Sequence, residues 1–125
     1  MPVIGLVVLE TAAALITLGG LYDLFTPRVP VNLAMQCGGD QQALRLVREL
    51  LRALGGSLVA IGLTVSILVA TSSDAKQFLP AVLVLVLPSE SVNSFCMYRV
   101  GSPFYIPLAF ALLTLLGVLL CWTRI

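Results

Sequence analysis

Long apolar segments separated by short polar ones make up almost the whole chain. Four of these segments are long enough to cross a bilayer, since a helical span needs about 20 residues. They predict helices over residues 2–25, 41–71, 75–97 and 104–123. Short connections place successive helices antiparallel. We therefore predict an all-α fold, a four-transmembrane-helix up-down bundle that forms one integral membrane domain over residues 1–125.

The first predicted helix does not have the pattern of a signal peptide. A signal peptide has a basic n-region before an apolar stretch of about 7–15 residues. This chain has no basic n-region, and Glu10 interrupts its first apolar stretch. We expect a retained helix that ends at Thr26-Pro27, because proline restricts the backbone and removes a hydrogen-bond donor.

The second predicted helix has two parts. Residues 42–53 are charged and amphipathic, whereas residues 54–70 are apolar and rich in small side chains. Asp40, directly before the helix, is of the residue type that caps helix N-termini. Three glycines in this helix are predicted to let a neighbouring backbone approach closely: Gly55, Gly56 and Gly62.

Composition agrees with a membrane location. The chain of 125 residues is 59% hydrophobic and 10% charged, with a mean hydropathy of +1.07. A soluble domain carries about 25% charged residues, so most of this surface is expected to face lipid. The chain has no histidine, which excludes histidine-based catalysis and most transition-metal sites. Its net charge of +1 argues against nucleic acid as a partner, and we expect neither a metal nor another cofactor.

The basic residues near the helix ends predict how the bundle is oriented. One end carries Arg28, Arg45 and Arg99, with Arg48 near them, and the other carries Lys76 and Arg124. The positive-inside tendency then places the first and third loops in the cytosol and both termini on the opposite side. Cys37 and Cys96 lie on that cytosolic side, where a disulfide is not expected, and Cys121 lies on the other.

Charged residues inside the predicted spans are the main functional indication, since such residues are costly in a membrane. The second helix carries a stripe of them at spacings of three, four and seven residues: Arg45, Arg48, Glu49 and Arg52. Glu90 and Asn93 share a face of the third helix. At 1.5 Å per residue, Arg52 and Glu90 lie about 14 Å and about 10 Å from the same membrane face.

These depths predict a polar pocket that opens toward the face with the first loop. In it, two arginines meet acidic and amide side chains from the other helices: Arg48, Arg52, Asp23, Glu90 and Asn93. Glu10 forms the deep end, and three tyrosines surround the mouth: Tyr22, Tyr98 and Tyr105. In the alternative interpretation, the charges only fix the register of the helices, and outer members such as Arg45 extend to lipid headgroups.

Three short motifs resemble a known family. They are Gly19-Gly20-Leu21-Tyr22-Asp23-Leu24-Phe25, Arg48-Glu49-Leu50-Leu51-Arg52-Ala53-Leu54-Gly55-Gly56 and Gly101-Ser102-Pro103-Phe104-Tyr105-Ile106-Pro107-Leu108. This pattern is similar to the DoxX-like superfamily of small four-helix membrane proteins. The resemblance implies the four-helix bundle, but that superfamily includes uncharacterised proteins, redox-associated subunits and chaperone-like members, so it implies no reaction. The small multidrug transporters also have four helices and a glutamate in helix one, but they lack an Arg-rich second helix.

Two classes of function follow from the predicted pocket. The first is a membrane-embedded enzyme that isomerises, cyclises or opens the epoxide of a lipophilic small molecule. Glu10 or Glu90 would be its acid or base, Arg52 would stabilise developing negative charge and Asn93 would orient the substrate. The second class is non-catalytic: a proton-coupled transporter that uses Glu10 within a homodimer, an accessory subunit or a lipid-binding chaperone. The clustering of charges toward one half of the bundle favours the enzyme.

Overall fold

The computed structural model describes residues 3–26, 29–71, 75–99, 101 and 103–122. Its helices are α1 (Val3–Phe25), α2 (Val31–Gln36), α3 (Gln41–Thr71), α4 (Ala75–Arg99) and α5 (Tyr105–Trp122). The all-α prediction is confirmed over this part of the chain. Four of the helices, all except α2, are long and apolar enough to cross a membrane, which indicates an integral membrane protein.

The ends of the four long helices agree closely with the predictions. Asp40 caps α3, because its Oδ1 accepts hydrogen bonds from the backbone N–H groups of Gln42 (3.0 Å) and Ala43 (3.4 Å). α4 continues two residues past the predicted end, to Arg99, and Gly101 follows with a φ of 77°. Arg28 and Arg124, on which the predicted orientation partly depends, lie outside the described residues, as does the side chain of Lys76.

The short helix α2 was not predicted from the sequence, which indicated a plain connection there. Pro30 precedes it, and the Pro30 carbonyl accepts hydrogen bonds from the N–H groups of Leu33 (3.0 Å) and Ala34 (2.8 Å). The helix ends before Gly38 and Gly39, whose φ values of 60° and 83° are left-handed. A helix of six residues is less than two turns, so it leaves no apolar periodicity to detect.

α1 and α3 pack closely and antiparallel through glycine. A Cβ atom placed on Gly55 would lie 2.5 Å from the carbonyl oxygen of Gly20 and 2.6 Å from the backbone nitrogen of Leu24. A Cβ atom placed on Gly62 would likewise lie 2.9 Å from the carbonyl oxygen of Ala13. The predicted close approach is therefore confirmed at Gly55 and Gly62. It is wrong at Gly56, where an added Cβ would meet no atom within 4 Å.

α1 also packs along α5, and α5 in turn packs along α4. α1 and α5 are antiparallel, since Gly5 lies against Cys121 and Leu9 against Gly117. α3 and α4 are consecutive in the chain but contact each other sparsely. The core joins all four long helices, and its fully buried members include Leu9, Ile16, Val65, Phe78, Leu79, Val82, Val86 and Cys121. The spatial order is thus α3, α1, α5, α4.

Candidate functional site

Glu90 is the most unusual side chain of the core. Residues four apart on α4 form one buried stripe: Phe78, Val82, Val86, Glu90 and Ser94. The stripe is apolar up to Val86, then Glu90 follows with 1% of its surface exposed. Among the described residues, Glu90 is the one charged side chain that is buried. Ser94 and Thr114 are the buried side chains that are polar and uncharged. The chain thus brings a carboxyl group into a position where apolar side chains are expected.

The polar groups beside Glu90 do not account for its carboxyl group. Within the described part of the chain, Oε1 of Glu90 is buried and has no hydrogen-bond partner. Ser94, one turn away, donates its hydroxyl to the carbonyl oxygen of Phe104 (2.9 Å). Thr114 on α5 donates to the carbonyl oxygen of Phe110 (2.9 Å). Both hydroxyl groups satisfy backbone carbonyls, so neither of them accounts for the Glu90 oxygen.

Arg52 does not reach Glu90 in this structure. Its Nη1 lies 2.9 Å from Oε1 of Glu49 on the same helix, and both side chains are about half exposed (41% and 54%). The two residues are three apart, so they form a pair along the surface of α3. The sparse contact between α3 and α4 explains why the arginine stripe and Glu90 are not joined. The predicted meeting of these side chains has no counterpart among the described contacts.

Arg48 and Asp23 lie at the same end of the α1–α3 pair. Arg48 is half-buried, and its Nε is enclosed without a hydrogen-bond partner among the described residues. Asp23 is half-buried and lies against Gly55, since a Cβ on that glycine would be 3.1 Å from the Asp23 Cβ. Arg52 precedes Gly55 by one helical turn. Asp23 therefore lies beside Gly55 near the end of α1, with Arg52 about 5 Å and Arg48 about 10 Å further along α3 toward its N-terminus.

Glu10 occupies a separate place in the bundle. Its Oε2 accepts a 2.7 Å hydrogen bond from the hydroxyl of Ser66 on α3. By helical rise, Glu10 lies about 10 Å from the start of α1, and Glu90 lies about 14 Å from the end of α4 at the opposite end of the bundle. The two carboxyl groups are thus offset by about 10 Å along the bundle. The structure does not bring Glu10 to Glu90 as the deep end of one pocket.

Glu10 also faces a shallow groove of about 580 Å³ on the outer side of α1. The groove is mainly apolar and is lined by Val3, Leu6, Val7, Glu10, Thr11, Ala14 and Leu15. Within the bundle, these residues lie beside the face of α1 that packs on α3. The groove leaves this carboxyl group accessible from outside the bundle, whereas Glu90 is enclosed.

The remaining predicted residues lie nearer the surface. Asn93 is half-buried one turn from Glu90. Tyr22, Tyr98 and Tyr105 are exposed, and the Tyr98 ring packs edge-on against Phe104 at 5.4 Å between centroids. Sequence reasoning did not identify the hydroxyl groups of Ser66, Ser94 and Thr114. Ser94 follows Glu90 at helical spacing, a signal that was present in the sequence, but nothing links Ser66 to Glu10 before the helices are packed.

No group of three or more cysteine, aspartate or glutamate residues in the described part of the chain is arranged to hold a metal ion. The described cysteines are free thiols: Cys37 is half-buried, Cys96 is exposed and Cys121 is buried. Comparisons with protein-family models, with curated proteins and with solved structures gave no match.

Proposed function

We propose that the protein is an up-down four-helix bundle in a membrane, with both termini on one side and the α1–α3 and α4–α5 connections in the cytosol. The antiparallel packing of α1 against α3 and α5 supports the alternating direction of the helices. Arg45 and Arg99 at the proposed cytosolic end support the orientation. Membership of the DoxX-like superfamily is part of this proposal and is supported by the three sequence motifs.

Within this bundle, the proposed function is acid–base chemistry on a lipophilic small molecule that enters from the bilayer. The observation that carries it is the enclosed Glu90 carboxyl group, whose Oε1 has no hydrogen-bond partner in the described part of the chain. A buried polar group without a partner destabilises the fold, so an explanation other than packing is required. Binding a molecule with a complementary polar atom is such an explanation.

The chemistry follows from what a carboxyl group in a water-poor site can do. Glu90 would donate a proton to one atom of the bound molecule and take a proton back from another, which balances an isomerisation or a cyclisation. In an epoxide opening it would protonate the epoxide oxygen as the C–O bond breaks, and water or a hydroxyl of the substrate would form the new bond to carbon and return its proton to the carboxylate. Asn93, one turn further along α4, supplies an amide that can orient a polar group of the substrate. The proposal rests on Glu90 and not on a Glu90–Arg52 pair, because Arg52 contacts Glu49.

The test is to purify the protein in lipid nanodiscs and identify hydrophobic molecules that remain bound, by extraction and mass spectrometry. The wild type is expected to retain a defined lipophilic molecule, and Glu90→Gln is expected to lose it or to stop converting it. Glu49→Gln is the matched control, since it makes the same change at an exposed carboxyl group outside the enclosed site.

If Glu90→Gln folds normally and retains and converts the molecule as the wild type does, the proposed function is wrong. A loss of equal size in Glu49→Gln would also contradict it, because that carboxyl group lies away from the enclosed site. Thermal unfolding of each variant, followed by circular dichroism, shows whether the fold is intact.

A second candidate function, a non-catalytic carrier of lipophilic molecules, is favoured by the surroundings of Glu10. This carboxyl group is held by Ser66 and lines a groove that opens to the outer side of α1. A carboxyl group on such a path can exchange a proton for a ligand as the site faces one side of the membrane and then the other. A homodimer is the usual form of such a carrier, and this part of the proposal includes one.

The two candidates are distinguished by uptake into vesicles. Protein reconstituted in liposomes with a pH gradient is mixed with a fluorescent quaternary ammonium cation, which cannot cross the bilayer as a neutral base, and its accumulation is measured against protein-free liposomes. A carrier requires that Glu10→Gln abolishes gradient-driven uptake while Glu90→Gln keeps it. Uptake that is absent in the wild type, or that is unchanged in Glu10→Gln, contradicts the carrier.

A further inference from the structure

α3 is too long for the membrane it crosses. Its 31 residues extend over about 46 Å, whereas the hydrocarbon core of a bilayer is about 30 Å thick. All its charged residues lie in residues 41–53, and none lies in residues 54–71. α1 ends beside Gly55, since the backbone nitrogen of Leu24 would lie 2.6 Å from a Cβ there. Residues 41–53 therefore extend past the end of α1 by about 20 Å.

This extension has an apolar side that would be exposed in water and a basic side that would be destabilised in hydrocarbon. At 3.6 residues per turn, Arg45 and Arg48 lie largely on the opposite side of the helix from Leu46 and Leu50. Leu46 is 61% exposed and Leu50 is 59% exposed. In water these leucines would remain uncovered, and in hydrocarbon the arginines would be strongly destabilised. The headgroup layer is the environment that accommodates both faces.

The preceding helix α2 also has apolar side chains that the protein leaves exposed. Val31 and Met35 are one turn apart, and each is 75% exposed. α2 packs only sparsely against the long helices in the described part of the chain. Its exposed apolar side chains are therefore not directed at a protein surface that would bury them. Together, α2 and residues 41–53 form one surface at the proposed cytosolic end of the bundle, which we call the interfacial surface.

Two arginines of the interfacial surface have free hydrogen-bonding capacity. Arg45 is exposed and Arg48 is half-buried, and neither forms an ion pair in the described part of the chain. Arg52 differs, because Glu49 already engages it. Arg45 and Arg48 are three residues apart, so their guanidinium groups project to the same side of α3. Guanidinium groups bind phosphate oxygens through two parallel hydrogen bonds.

We propose that the interfacial surface docks onto an anionic phospholipid leaflet, with Arg45 and Arg48 on the lipid phosphates and Met35 and Leu46 at the level of the upper acyl chains. The charge of the arginines complements that of the lipid, and the surface is continuous with helices that span the same bilayer. A helix longer than the bilayer tilts, which turns one side toward the chains and the other toward the headgroups. This inference rests on the membrane part of the proposed function, not on the chemistry at Glu90.

The first experiment measures lipid retention. Full-length protein is reconstituted in nanodiscs of phosphatidylcholine and phosphatidylglycerol, and the phosphatidylglycerol that remains on the protein after detergent extraction is quantified by mass spectrometry. The double variant Arg45→Gln/Arg48→Gln is expected to retain about thirtyfold less than the wild type, since each lost arginine near the surface removes about 1 kcal/mol of attraction and about 1.4 kcal/mol corresponds to a factor of ten. Arg99→Gln is the matched control, because Arg99 is a basic residue at the same end on α4.

The second experiment measures depth. In a Trp122→Phe background, tryptophan is placed at Met35 or, for comparison, at Leu112, an exposed residue within α5. Lipids brominated near the glycerol end of their acyl chains are expected to quench tryptophan at position 35. Lipids brominated near the chain ends are expected to quench tryptophan at position 112.

Each outcome has a distinct meaning. If the double variant retains as much phosphatidylglycerol as the wild type, or if Arg99→Gln loses as much as the double variant, the docking proposal is overturned. It is also overturned if position 112 is quenched but position 35 is not, since the interfacial surface then stands in water and faces a soluble partner or a second copy. If neither position is quenched, the membrane proposal itself fails.

Discussion

The hydroxyl of Ser66 on α3 donates a 2.7 Å hydrogen bond to Oε2 of Glu10 on α1. The two residues are 56 positions apart in the chain, and the bond crosses the closely packed α1–α3 interface. A carboxyl group on the outer side of a membrane helix requires a donor from a neighbouring helix, since lipid offers none. Ser66 is therefore the residue that lets α1 keep Glu10 at this depth.

Replacing Ser66 tests this bond. Ser66→Ala removes the donor and is expected to lower the free energy of unfolding by about 1 kcal/mol. Unfolding by SDS titration, followed by circular dichroism, measures the change. Ser57→Ala is the control, because the Ser57 hydroxyl bonds the Ala53 carbonyl on its own helix and faces outward. Equal effects of the two substitutions would contradict the proposed role of Ser66.

The neighbouring glycines of α3 allow a sharper comparison. Gly55→Ala adds a Cβ 2.5 Å from the Gly20 carbonyl oxygen and is expected to destabilise the protein by about 2 kcal/mol or more. Gly56→Ala adds the same atom in open space and is expected to stabilise α3 by about 0.5–1 kcal/mol, because alanine favours the helix. The same SDS titration measures both, and a stabilising Gly55→Ala would show that the α1–α3 contact is looser.

The buried Glu90 carboxyl group is expected to lower the free energy of unfolding and to be required for ligand binding. Glu90→Leu removes the oxygen that has no partner, so its free energy of unfolding is expected to equal or exceed that of the wild type, within about 2 kcal/mol. Ligand retention in nanodiscs is expected to be lost in the same variant. A strong destabilisation by Glu90→Leu would instead mean that the carboxyl group makes stabilising contacts in the folded protein.

A double-mutant cycle decides which carboxyl group Arg52 interacts with. We expect a coupling energy of about 0.2–1 kcal/mol between Arg52→Gln and Glu49→Gln, as for exposed pairs. For Arg52→Gln and Glu90→Gln, the two changes are expected to add to within about 0.3–0.5 kcal/mol. A larger coupling with Glu90 would show that the single pocket predicted from the sequence forms in the membrane.

The local features of the fold were predictable because each depends on adjacent residues. The apolar segments indicated the four long helices, and Asp40 indicated where α3 begins. The close packing at Gly55 and Gly62 was predictable for the same reason, but its absence at Gly56 was not. Adjacent glycines differ by about 100° around the helix, so one faces the partner and the next need not.

The site was less predictable because it depends on which helices become neighbours. Helical spacing correctly groups Arg48 with Arg52 on one stripe, yet it does not say which helix that stripe faces. Their similar depths from one membrane face suggested that Arg52 and Glu90 would meet. In the structure α4 packs along α5 instead, so Glu90 is enclosed without an arginine.

The central position of α1 has a consequence for how the protein is made. α1 is synthesised before α5, which packs along it and follows about ten seconds later at roughly 5–20 residues per second. During this interval the side of α1 with Gly5 and Leu9 has lipid as its neighbour, and its apolar surface tolerates that. Glu10 on the other side receives its donor earlier, when α3 enters the membrane. The side of α1 that waits longer for its partner helix is therefore apolar, and the side that carries the carboxyl group is covered earlier.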